Sequence, residues 1–181
     1  MLKYNNSDKN VLYSEIIVIF VALNTLTMFS KACEYGIRAM IFIALRSKEH
    51  IRISLNDIAS EIGTPPSFTA KILQKLVHEK LLVSTKGPTG GFVISEDRSA
   101  KITLAEIVSA IDGDSVFKGC GLGFRECDSE RPCAVHYKFQ DVRNSLSDML
   151  ENTVLAELTE NTEKGLTFLK DREVEPNIKL N

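Results

Sequence analysis

Apolar residues recur at helical spacing in several stretches of the chain, and β-prone residues gather in one. FSKACEYGIRAMIFIALR, residues 29–46, sets Tyr35, Ile37, Met40, Ile41, Ala44 and Leu45 along one stripe, with Ser30 placed to cap the N-terminus. In SLNDIASEIG, Leu55, Ile58, Ala59 and Ile62 make one apolar face; Ser54 stands as N-cap, Asp57 at the capping-box position and Gly63 as the stop. TPPSFTAKILQKLVHEKLL follows. Pro65 and Pro66 forbid continuation of the preceding helix, Ser67 is expected to cap a new one, and Phe68, Ile72, Leu73, Leu76 and Val77 are expected to face inward. Two short helices joined by a tight Gly/Pro connection predict a helix-turn-helix. The segments LLVST and FVIS then flank the turn KGPTGG, which predicts a hairpin with a flexible basic tip. That order of elements is the one expected of a winged helix-turn-helix.

Thr103 and Glu106 form a capping box that opens a short helix in TLAEIVSAIDG, ended by Gly113. From about Val135 to Leu158, Tyr137, Phe139, Val142, Leu146, Met149, Leu150, Val154, Leu155 and Leu158 predict a long amphipathic helix, with a break near Asn152. The tail from Thr162 is polar and is expected to fray. The fold class is therefore mainly α with a small β-hairpin wing: a winged helix-turn-helix plus a long C-terminal helix.

The first 27 residues read differently. Polar MLKYNNSDKN leads into the apolar run IIVIFVAL, Ile16 to Leu23, which is shorter than the roughly 20 residues needed to span a bilayer. Three readings stand: translation beginning at Met28, an accessory helix, or a targeting segment whose signal character is opposed by Glu15 and the lack of a small-x-small site.

Charge changes the picture only by its distribution. The net charge of −2 gives no whole-molecule sign of nucleic-acid binding. Residues 28–98, however, hold ten Lys/Arg against seven Asp/Glu, and residues 99–181 hold ten against fifteen, so the mildly basic front is the part suited to a polyanion. In a helix-turn-helix the N-terminal end of the second helix meets base edges in the major groove. Here that end carries Ser67, Phe68, Thr69, Ala70 and Lys71, with Lys75 one turn on. Hydroxyls there can serve bases or phosphates, and the lysines suit the backbone. Lys86 at the wing tip, with Gly87, Gly90 and Gly91 allowing close backbone approach, suits the minor groove or a phosphate. A winged helix using the same surface for protein contacts is the alternative.

The four cysteines change it more. Cys120, Cys127 and Cys133 fall as C-x6-C-x5-C, followed after two residues by His136. Structural zinc sites usually bring cysteines in C-x2–4-C pairs, absent here. Disulfides leave an odd thiol unless Cys33 joins, and a reducing cytosol disfavours them. An iron–sulfur cluster needs thiolates on a loop loose enough to wrap it, and Gly119, Gly121 and Gly123 supply that looseness. The loop suits a cluster better than a zinc knuckle.

Taken in order, FSKACEYGIRAM, TPPSFTAKILQKL, KGPTGGF, TLAEIVSAIDG, the three-cysteine loop and LENTVLAEL resemble the Rrf-two family of bacterial transcription regulators, over about Met28 to Leu158. This extent agrees with a start at Met28. The resemblance implies a cytoplasmic homodimer, with no membrane association, whose long C-terminal helices cross between protomers. It implies contacts to a palindromic double-stranded operator from Ser67, Phe68 and neighbours and from Lys86 and Gly87. It further implies a 2Fe–2S or 4Fe–4S cluster on Cys120, Cys127 and Cys133, sensing nitric oxide, redox or cluster status; repression is the commoner role in the family. The fourth ligand stays open between His136, at the spacing of IscR-like members, and Glu34 of the partner subunit, where NsrR-like members place a carboxylate. Cys33 is read as a buried small apolar residue. Two departures stand out: the wing reads KGPTGG without an unbroken Gly triplet, and Ala70 replaces an acidic base-reading residue of IscR-like members, so the operator is expected to differ.

The organisation implied is an N-terminal extension over 1–27, a winged helix-turn-helix over 28–98, a connecting helix and cysteine loop over 99–134, a dimerisation helix over 135–160 and a flexible tail over 161–181. Scattered His50, His78 and His136, with no Gly-x-Ser-x-Gly or P-loop pattern, argue against an enzyme. The remaining alternatives are a cluster-free regulator using the cysteine thiols as a redox switch, and a zinc-stabilised interaction module.

Overall fold

The structure is a computed structural model that describes residues 28–48, 51–87 and 89–170. The extension over 1–27, Glu49, His50, Pro88 and residues 171–181 lie outside the described residues.

Helix α1, Lys31–Ser47, is the centre of the core. Ser30 caps it, its hydroxyl accepting from the Cys33 N–H at 3.1 Å. Burial takes in Cys33, Gly36, Ala39, Met40, Ile41, Ile43, Ala44 and Ser47, so more than one stripe is covered, while Tyr35, Ile37 and Leu45 are only half-buried. The reason is position: the helices Leu55–Ile62, Pro66–His78, Leu104–Asp112 and Leu155–Glu163 and the strand Gly91–Val93 all pack around α1. Each fully buried Ile or Met among them contributes roughly 1.5–3 kcal/mol.

Helix α2, Leu55–Ile62, ends as expected at Gly63 in the left-handed region. Helix α3, Pro66–His78, begins two residues earlier than expected, with Pro66 in the first turn and Pro65 as N-cap. Ser67 is therefore not the cap. It sits inside an exposed first turn that has no side-chain cap bond.

The wing pairs β1, Val83–Thr85, with β2, Gly91–Val93, in antiparallel register Val83↔Val93, Ser84↔Phe92 and Thr85↔Gly91. Ile53 adds one bridge beyond β2, exchanging backbone bonds of 3.1 and 2.9 Å with Phe92. Gly91 has φ +142°, and a Cβ there would stand 2.6 Å from the Ile53 carbonyl, so only glycine lets that third segment close on the wing.

A short α4, Glu96–Ser99, leads to α5, Leu104–Asp112, which opens with the full Thr103–Glu106 capping box and ends at Gly113. A further short helix, α6, Ser115–Lys118, precedes the cysteine loop. The C-terminal helix is broken as expected after Asn152, into α7, His136–Asn152, and α8, Leu155–Glu163. Residues 102–104 pin the break: Leu104 N–H donates to the Thr153 carbonyl at 2.9 Å and Leu155 N–H to the Ile102 carbonyl at 2.8 Å.

The tail departs from expectation. It turns at Gly165, packs Leu169 against the core and pairs Lys170 with Glu61 at 3.2 Å, so it is held as far as residue 170. No helix among the described residues is long and apolar enough to cross a membrane.

Gly36 marks the closest approach of α1 and α5. A Cβ there would overlap the Ile111 side chain and stand 3.3 Å from Ile72 Cγ2 of α3. Gly36→Val is expected to cost about 2 kcal/mol or more through overpacking, read as a lowered midpoint in urea unfolding with an unchanged slope; an unaltered midpoint would show that the contact is slack.

Candidate functional site

Two surfaces carry the residues singled out by sequence. On the first, Ser67 and Lys71 lie exposed along the start of α3, and Lys86 and Gly87 lie exposed at the wing. Gly87 and Gly90 close the turn through a 2.9 Å bond from the Gly90 N–H to the Gly87 carbonyl. Phe68, expected inward, is instead 37% exposed and rests edge-on against Tyr35 of α1, ring centroids 6.1 Å apart.

Two residues of this set are placed otherwise than expected. Thr69 is fully buried: its hydroxyl pairs with that of Thr64 at 2.6 Å and reaches the Pro65 carbonyl at 3.1 Å, closing the turn between α2 and α3. Helical periodicity explains this, since Thr69 shares a face with Ile72, Leu73 and Leu76. Lys75 donates from its ammonium to the Ile111 carbonyl at the end of α5, 2.7 Å away, so it ties α3 to α5.

The second surface is the cysteine loop. Cys120, Cys127 and Cys133 are free and half-buried. The loop packs on α7 closely enough that a Cβ on Gly121 would stand 2.5 Å from the Phe139 ring. The Cys133 carbonyl accepts the His136 N–H at 3.0 Å, fixing the last cysteine to the start of α7. His136 is only 4% exposed. Its Nδ1 lies 3.4 Å from Cys127 Sγ, while its Nε2 is buried with no hydrogen-bond partner. A buried polar atom left so costs about 1–3 kcal/mol, which a ligand at that nitrogen would relieve. Glu34, the other candidate donor, is ion-paired with Lys31 at 2.7 Å on the first turn of α1 and bonds to no cysteine of its own chain's loop.

Backbone N–H groups of Leu122 and Phe124 beside Cys120 hold its thiol below the ordinary value, helped by Cys133 and the Arg143 charge. Cys33 is the opposite case: burial, reinforced by the Asp112 carboxylate, pushes its thiol up to about 12. Among the described residues, no three Cys, His, Asp or Glu side chains converge as they would around a single metal ion. The loop donors meet in twos instead, Cys120 with Cys133 and Cys127 with His136. The donor set of three thiols and one imidazole with an orphaned nitrogen, on a Gly-rich loop, fits an iron–sulfur group in its chemistry.

Sequence reasoning passed over three residues. Arg143 donates to the Gly119 carbonyl at 2.8 Å and to Cys127 Sγ at 3.4 Å. It stands two helical turns after His136 on the same face, a spacing that was readable. Asp112 accepts from the Ser30 N–H at 2.9 Å and from its hydroxyl, joining the end of α5 to the cap of α1. Arg52 bonds the Thr85 hydroxyl and adds a cation to the wing. Neither of these two pairings has a local sequence signal.

Native-state alkylation of the metal-free protein with iodoacetamide near pH 8 is expected to modify Cys120 first and to leave Cys33 unmodified until the protein unfolds, by peptide mass mapping. Early modification of Cys33 would contradict its burial.

Comparison with known proteins agrees with this architecture. Residues 29–161 match the Rrf2 family, described as iron-dependent transcriptional regulators. The transcriptional regulator IscR of Yersinia pseudotuberculosis is 31% identical over 127 residues, covering 70% of this chain and 76% of that one. CymR, the global cysteine regulator of Bacillus subtilis, shares the fold with a TM-score of 0.60 at 23% identity, covering 73% of this chain and 95% of that one. IscR of T. potens does so with a TM-score of 0.60 at 17% identity, covering 80% and 94%. A helix-turn-helix with a hairpin wing, a cysteine loop running into a long helix, and a family match across both place the chain in the Rrf2 (Rrf-two) family of DNA-binding transcriptional regulators.

Proposed function

We propose that the protein is a homodimeric regulator, a repressor by the commoner role of its family, whose affinity for a palindromic operator is set by an iron–sulfur cluster. Cys120, Cys127 and Cys133 are the thiolate ligands, and His136 is the fourth donor that this chain's own geometry favours. The observation that carries the reading is the His136 imidazole, buried against Cys127 with Nε2 unpartnered in a loop of three thiols. When bound, such a cluster supplies iron that can take up nitric oxide or be lost to oxidants, most readily where the ligand is not a thiolate.

The chain's own residues do the rest. Ser67, Phe68 and Lys71 on α3 and Lys86, Gly87 and Gly90 at the wing face the operator, Lys71 and Lys86 as phosphate contacts. Arg52 supports the wing from its side. Thr69 serves this surface from within by closing the turn, and Lys75 by holding α3 on α5. Dimerisation is supported by α7, where Val135, Phe139, Val142, Leu146 and Met149 follow alternating steps of four and three residues. Val142 and Met149 on that seam are 65% and 47% exposed in the single chain. The cysteine loop joins α5 to this helix, so its state bears on both the α3 anchor and the spacing of two recognition helices.

Anaerobically purified protein is expected to contain iron and acid-labile sulfide in near-equal amounts, and His136→Ala to lose them while Glu34→Ala keeps them. Loss with Glu34→Ala alone would move the fourth ligand to the partner's Glu34. A duplex selected from a randomised pool should bind the cluster-loaded and cluster-free forms with different affinity; equal affinities would sink the switch. Lys71→Ala is expected to reduce the slope of log K against log salt by about one, as for a lost phosphate contact.

A second reading is favoured by one observation, the lowered Cys120 thiol bonded to Cys133. In it the loop acts as a cluster-free thiol switch. Protein without iron or sulfide even after anaerobic reconstitution, yet with DNA affinity that changes on peroxide treatment, would establish it.

A further inference from the structure

We infer that Arg143 is the positioning residue of the cysteine loop, holding the Cys127 sulfur in place and linking its state to the dimer seam; the inference rests on the reading of Cys127 as a cluster ligand. The guanidinium bridges two points of the loop. The two N–H bonds of one guanidinium nitrogen, Nη1, donate to the Gly119 carbonyl, just before the first cysteine, and to the sulfur of the second. A planar, permanently charged fork suits this task, because one side chain spans a neutral carbonyl and a sulfur that carries negative charge as a ligand.

The remaining neighbour of Cys127 is His136, so the sulfur lies between two groups of α7. Apart from these bonds the loop between Gly119 and Cys133 is attached mostly to itself: a turn closed from the Gly123 N–H to the Cys120 carbonyl, the Leu122 and Phe124 N–H groups on the Cys120 thiol, the Cys120–Cys133 pair, and the Glu130 N–H to Asp128. Arg143 is also the immediate neighbour of Val142 on the exposed α7 seam. A movement of the Cys127 sulfur therefore acts on α7 at the turn that faces a second subunit. Hydrogen bonds to cluster sulfurs are among the terms that set reduction potential, and an N–H donor favours the reduced, more negative state.

Arg143→Met keeps bulk and removes the donors and charge; Arg143→Lys keeps the charge without the fork. Limited trypsin digestion of the cluster-free protein, followed at the bond after Arg125, is expected to run roughly tenfold faster in Arg143→Met, as for a lost charge-assisted hydrogen bond, with Arg143→Lys between. On the cluster-loaded protein, the midpoint potential is expected to become more negative in Arg143→Met and to be partly restored in Arg143→Lys. Wild-type digestion rates in Arg143→Met would overturn the positioning role, and an unchanged potential would overturn its action on the cluster. Wild-type protein lacking iron and sulfide would instead overturn the ligand reading, leaving the digestion result to decide the tether.

Discussion

The end of α5 is the junction on which the rest of the structure depends. Gly36 lets α5 approach α1 so closely that Ile111 fills the space a side chain would occupy. At that point two elements, α3 and α1, are fastened to two consecutive residues. Ile111 gives its carbonyl to Lys75 of α3, and Asp112 gives its carboxylate to Ser30 at the cap of α1. The chain then turns at Gly113 and runs through α6 to Cys120. Helix α3 and the loop that carries the thiols thus hang from one short stretch, held by packed contacts of the kind that move as units rather than deform.

The loop itself is built on a different principle. It has little apolar material of its own to bury: Leu122 and Phe124 are both largely exposed. What shapes it is polar attachment to α7, through the Cys133 carbonyl at the helix start, His136 against Cys127, and Arg143 across its base. A segment held by a few polar bonds opens at lower cost than the core beneath it. That suits a region whose occupancy is proposed to change, placed between the winged module and a helix whose apolar seam is proposed to meet a second copy.

The winged module shows how function and stability divide one short helix. Ser67, Phe68 and Lys71 look outward from α3, while Thr69 between them points inward and closes the turn with Thr64. A hydroxyl at the start of a recognition helix suggests DNA by type alone. The helical period decides otherwise, because Thr69 precedes Leu73 and Leu76 by four and seven positions. Lys75 is a parallel case: its sign suits a phosphate, yet a carbonyl at the end of α5 holds it.

Much of the fold was legible in sequence because its signals are local. Ser30, Ser54 and the Thr103–Glu106 box cap their helices, Gly63 and Gly113 stop theirs, and the glycines of KGPTGGF shape the wing. The order of these motifs, with the spacing of three cysteines after them, determined the family. Only the tertiary structure decided which surface each residue serves. That Lys75 anchors α3, that Asp112 completes the cap of α1, that Arg143 reaches Cys127 and that Leu169 folds the tail onto the core all depend on elements far apart in sequence meeting in space. Periodicity and capping are properties of a few consecutive residues and can be read from them; a hydrogen bond across the core is a property of the packing, and no short stretch of the chain contains it.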